Sequence, residues 1–198
     1  MPCPPSTRCP SDPRPRRRII ALACLLALMA NPRAAEPAPL FNPEGYRIDA
    51  FVAPVPQSVP GAATVGTAEV QAMIAAGDAV LIDVLPAPPM PVGLGDNERW
   101  LPPPHRNIPG STWLPNVGYG SLSDDLAEYL RQNLLRLTGG DHARRLIVYC
   151  RADCWMSWNA AKRIAAAGYT AVYWYPEGTT GWEAAGLPLE TRRPARRE

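Results

Sequence analysis

Histidine is almost missing from this sequence: the 198 residues hold two, His105 and His142, far apart in the chain. A histidine-built metal centre therefore has too few ligands. Cysteine is scarce where it would matter for a stapled fold. Cys3, Cys9 and Cys24 lie at the amino-terminal end, and only Cys150 and Cys154 remain, both in one loop. A disulfide scaffold is excluded, and a bridge closing so short a loop would add little chain-entropy stability. No apolar run reaches the roughly 20 residues a membrane-spanning helix needs. The longest, Ile19 to Ala30, has twelve. No internal repeat is visible, which removes the solenoid architectures.

That short apolar run follows a basic stretch, Pro13 to Arg18, and precedes small and polar residues from Asn31 to Glu36. The three parts read as a secretory signal peptide over residues 1–35, with cleavage after Ala30 or Ala35 left open. Cys24 has too little apolar sequence before it for a lipoprotein signal. The first 35 residues carry six arginines and one aspartate, so the chain's net charge of +2 becomes −3 without them. The basic balance belongs to the leader; no nucleic-acid surface is expected, and no membrane association after cleavage. The tail, with Arg192, Arg193, Arg196 and Arg197, reads as a solvated, frayed end over 191–198.

Residues 36–63 are proline-rich and read as an extended arm, ordered only if it lies along the domain. Folded periodicity then begins, over 64–190. Thr67 reads as the cap of a helix over Ala68 to Ala76, stopped by Gly77. Ala79 to Val84 reads as a buried strand with Asp83 near its carboxyl end. Leu85 to Pro104 is a proline- and glycine-rich insertion around Trp100, long enough to suggest a lid or binding loop. A short strand is expected near Thr112 to Pro115. Ser123 caps an amphipathic helix with Leu126, Tyr129, Leu130 and Leu134, ended by Gly139-Gly140. Leu146 to Tyr149 is a second buried strand, Ala171 to Tyr175 a third, and Pro176 to Gly181 a loop. Alternating strands and helices predict a single α/β domain with a central, mostly parallel sheet flanked by helices.

The chemistry gathers at Leu146 to Ser157. Cys150 ends the strand, and from about Cys154 the pattern turns helical. A helix's unpaired N–H groups and positive dipole end lower the pKa of a thiol placed there. In an open parallel sheet the reactive crevice lies at the carboxyl ends of the strands, where Asp83, Cys150 and Pro176 all fall. Cys154 could resolve an oxidised or persulfidated Cys150 into a disulfide. Two thiolates could also hold Cu(I), but no further ligand stands nearby in sequence, so no metal and no cofactor is expected. Trp155 directly follows Cys154 and could wall the pocket.

The ordered set Ile82-Asp83-Val84, Ile108-Pro109-Gly110, Leu114-Pro115, Val148-Tyr149-Cys150-Arg151, Gly168-Tyr169, Gly181-Trp182 and Gly186-Leu187-Pro188 resembles a rhodanese-like domain. Cys150 to Trp155, Asn159 to Arg163 and Tyr173 to Pro176 are similar to an exported subgroup with a Cys-Trp motif associated with PQQ-dependent alcohol catabolism. That subgroup's label has two residues between the cysteines; here there are three. The resemblance implies that Cys150 is the reacting nucleophile, to which the loop chemistry adds Cys154 as the resolving group. Cys150 would accept sulfane sulfur from a small donor, or exchange with a thiol acceptor. The backbone of Arg151, Ala152 and Asp153, with Trp155 and Asp83, would bind the transferred group. It also implies a possible partner in a periplasmic quinoprotein dehydrogenase or cytochrome system. Leu85 stands where the family commonly has Arg. Met156 holds the place of the arginine that phosphatase loops require, so phosphatase activity is not expected. Thiosulfate should bind poorly, because Asp153 offsets the single charge of Arg151. The alternative reading is a non-catalytic binding module with its thiols held as a disulfide.

Overall fold

The computed structural model describes residues 39–93 and 100–196. The expected signal peptide lies outside the described residues. Five parallel strands form the sheet, in the order β1-β6-β5-β2-β4. They are β1 (Ala63–Thr64), β2 (Ala79–Asp83), β4 (Thr112–Trp113), β5 (Arg145–Tyr149) and β6 (Val172–Tyr175). A separate antiparallel pair joins β3 (His105–Asn107) to β7 (Glu190–Arg192). The central strands are apolar on both faces, as parallel strands covered on both sides must be. Val80 is in register with Leu146, Ile82 with Val148, and Leu146 with Val172.

Side chains alternate across this sheet, and that alternation decides which residues can meet. Ile82, Val84, Leu146, Val148, Cys150 and Trp174 pack on one face. They meet α2 (Asp124–Thr138) and α3 (Trp155–Ala166) through Tyr129, Leu130, Leu134, Trp158 and Ile164. Leu81, Ile147, Tyr149 and Tyr175 pack on the other. There they meet α1 (Thr67–Ala76) and α4 (Gly178–Ala184) through Val70 and Trp182.

The helix boundaries follow local chemistry. Ser123 caps α2, its hydroxyl accepting the Leu126 N–H, while Gly139 in the left-handed region ends it. Asp124 and Asp125 in the first turn and Arg136 in the last complement the helix dipole. Thr67, expected as the cap of α1, is instead its first residue. Gly66 occupies the cap, and its N–H is taken by the Glu69 carboxylate at 2.8 Å. The Thr67 hydroxyl is engaged by Tyr175 and Glu177 instead. The expected loop at Pro176 to Gly181 is also corrected. Helix α4 begins at Gly178, because the Cys150 carbonyl accepts the Thr179 N–H at 3.0 Å and Trp182 buries itself beneath the sheet.

Residues 39–62 run along the α3 face. Asn159, fully buried, accepts the Arg47 N–H at 2.9 Å and donates to the Arg47 carbonyl at 2.8 Å and to the Gly118 carbonyl at 2.9 Å. The indole of Trp158 donates to the Ser58 carbonyl. The tail is held too, against the expectation of a frayed end. Arg192 lies in β7, and Ala195 donates to the Trp113 carbonyl and accepts from the Tyr129 hydroxyl. No helix among the described residues is long and apolar enough to cross a membrane.

Candidate functional site

Strand β5 delivers Cys150 to the carboxyl edge of the sheet, and Cys154 caps the amino terminus of α3. Between them Arg151, Ala152 and Asp153 make a tight loop. Asp153 sits at φ 54°, a left-handed conformation that Asp tolerates better than most residues. The two cysteines are joined as a disulfide, with their Cα atoms 6.3 Å apart. Both are buried, at 1% and 3% exposure.

Two segments enclose the loop. On one side is the start of α4. The Ala152 N–H reaches the Thr180 hydroxyl at 3.3 Å, and Arg151 bridges to Gly178. A side chain at Gly178 would run into the Cys150 carbonyl, so this close approach requires glycine. On the other side is the amino-terminal arm. Ala53 donates to the Asp153 carbonyl at 3.0 Å, and Phe51 accepts the Trp155 N–H at 2.9 Å. The second bond occupies a donor at the start of α3 that would otherwise face an anion.

Trp155 faces the arm. Its indole donates to the Pro54 carbonyl, its ring meets Phe41 edge-on at 5.4 Å, and the Arg47 guanidinium lies over it at 4.9 Å. A chain of bonds fixes the loop's far end. Trp174 donates to the Ser157 hydroxyl at 3.0 Å, and Ser157 donates to the Cys154 carbonyl at 3.1 Å. Arg151 and Asp153 are exposed, and Ala152 is half-buried.

Asp83 is not brought to this loop. It shares the strand parity of Leu81, so its carboxylate projects to the face of Tyr149, opposite Cys150. There it is fully buried, accepting from Asn107 at 2.7 Å and the Leu85 N–H at 2.8 Å, with His105 at 3.2 Å. Burial raises its pKa above the usual carboxylate range, against the opposing pull of the His105 contact and the other donors. Burial, and secondly the Asp83 charge, push the neighbouring Tyr149 hydroxyl well above its ordinary value. His105 thus serves Asp83 rather than the cysteines.

Sequence reasoning missed the arm residues Phe51 to Pro54 and the glycine at 178 as parts of the enclosure. The arm has no periodicity to betray a docking face, and Gly178 reads as one turn glycine among several.

Residues 66–185 match the rhodanese-like domain family. The chain belongs to that family. No curated protein matches it. Among solved structures, the thiosulfate sulfurtransferase from Pseudomonas aeruginosa is similar at 23% identity and a TM-score of 0.43, over 65% of this chain and 20% of that one. The polysulfide-sulfur transferase homodimer from Wolinella succinogenes is similar at 17% identity and a TM-score of 0.41, over 66% and 79%. The 3-mercaptopyruvate sulfotransferase SseA from Escherichia coli follows at 19% identity and a TM-score of 0.42, over 69% and 53%. The chain thus spans a fifth of the first of these proteins.

In this rhodanese-like domain the sulfur chemistry available is set by the pair. Cys150 lies between the end of β5 and the start of α3. Cys154 is bonded to it through sulfur.

Proposed function

We propose that this rhodanese-like protein is an exported thiol protein in which Cys150 takes up sulfane sulfur and Cys154 resolves it. The Cys150–Cys154 disulfide carries the reading. The thiolate of Cys150 attacks a small sulfane donor and becomes a persulfide, releasing the donor's leaving group. The Cys154 thiolate then attacks the Cys150 sulfur. A Cys150–Cys154 bond forms, the outer sulfur leaves as hydrosulfide, and an external dithiol returns the pair to two thiols. Membership of the rhodanese-like family over residues 66–185 supports donors and acceptors of this class. The leader grammar of residues 1–35 supports export, and the Cys-Trp likeness supports a role accessory to PQQ-dependent alcohol catabolism beside a periplasmic quinoprotein dehydrogenase or cytochrome.

Reduced protein mixed with a polysulfide should release about one hydrosulfide per disulfide formed. Cys150→Ser should release none. Disulfide formation without hydrosulfide would overturn the resolving step.

A second reading has its own observation. Exposure of 1% and 3% leaves little sulfur for a partner thiol to attack, which favours a binding module with a permanent bridge. A pair that stays bridged in protein taken from the periplasm, and inert to donors after reduction, is the outcome that reading requires.

A further inference from the structure

Away from the cysteine loop, the anchored tail and α2 enclose a groove of about 420 Å³. Arg136 from α2 and Arg192, Arg193 and Arg196 from the tail line it, and among the described residues no acidic side chain does. The tail's backbone is fixed at β7 and at Ala195, so these arginines are presented rather than dangling. Arg136 is oriented by the buried Asn133, whose side-chain oxygen accepts from it at 2.9 Å. Arg192 is held by Glu190, leaving three guanidinium charges in excess.

A second observation points into the same groove. Ser111 lines it and is 6% exposed. Tyr149 accepts the Ile108 N–H and donates to the Ser111 hydroxyl oxygen at 2.6 Å. The Ser111 hydroxyl is thus a buried polar group at the groove wall, able to turn its hydrogen toward a bound oxyanion.

We propose that this groove binds a small molecule carrying at least two negative charges on phosphate or carboxylate groups. Guanidinium forks match such oxyanions two bonds at a time, and a cavity of this size suits a small ligand. The charge is local. Without the leader the chain is net negative, so the groove, not the overall field, selects the anion.

The test is isothermal titration of the full chain with inorganic pyrophosphate and, separately, citrate. Saturable binding at about 1 mM or tighter is expected for at least one, weakening as salt rises. Preference between the two separates the phosphate from the carboxylate source. R136A and R193A should each weaken binding about tenfold, with circular dichroism unchanged. R145A, on the exposed Asp78 pair in another part of the surface, should not. In amide NMR the shifts should centre on Ser111 and Ala195. Absence of saturable binding by both anions overturns the proposal, as does equal affinity in R136A, R193A and R145A.

Discussion

Val52 and Cys154 face each other across an antiparallel bridge, so the arm closes over the loop that holds the disulfide. Two flanking hydrogen bonds, from Ala53 to the Asp153 carbonyl and from Trp155 to the Phe51 carbonyl, tie the arm to that loop. Asn159 anchors the arm from beneath through Arg47. Asn159→Ala leaves the Arg47 backbone and the Gly118 carbonyl unsatisfied, costing about 3 kcal/mol. Reduction of the disulfide by a small thiol should then accelerate about tenfold or more, because local opening limits access. An unchanged rate, followed by thiol labelling, would show that the arm does not gate the bridge.

The contact between Gly178 and the Cys150 carbonyl makes a second prediction. Gly178→Ala places a methyl against that carbonyl and should cost about 3 kcal/mol through overpacking at the loop. Urea unfolding measures it. A loss no larger than a surface substitution would mean that the α4 start yields freely.

Asp83 gives a pH dependence whose sign is fixed. Its carboxyl holds its proton more readily in the folded chain than in the unfolded one, because of burial. Its contribution to stability is therefore fully present below the ordinary value of 3.8 and is lost as pH rises through the raised folded value. In Asp83→Asn that component disappears. The difference in urea midpoint between the variant and the parent should move in the variant's favour as pH rises through this window. A difference constant with pH would contradict the assignment.

The strand cores and the placement of Cys150 were legible because buried parallel strands write themselves as runs such as Leu146 to Tyr149. The helix start at Cys154 was legible for the matching reason: periodicity changes there. Asp83 was placed at the right strand end, without a side of the sheet for its carboxylate. Proximity in sequence to a crevice does not say which face a side chain takes; the two-residue spacing from Leu81 does. The arm was harder. Its docking depends on backbone carbonyls of Phe51, Pro54 and Ser58 meeting indole and amide donors on α3, and carbonyl positions leave no trace in residue type. The tail was misread for a similar reason. Its anchor is the backbone of Ala195, whereas its arginines suggest only solvation.

The most direct measurement is intact mass of reduced Cys154→Ser protein after incubation with a polysulfide, with and without cyanide. The account predicts one added sulfur atom on Cys150, removed by cyanide as thiocyanate, and no addition in Cys150→Ser. A reduced Cys154→Ser protein that keeps its original mass, while Cys150 resists alkylation, would contradict it.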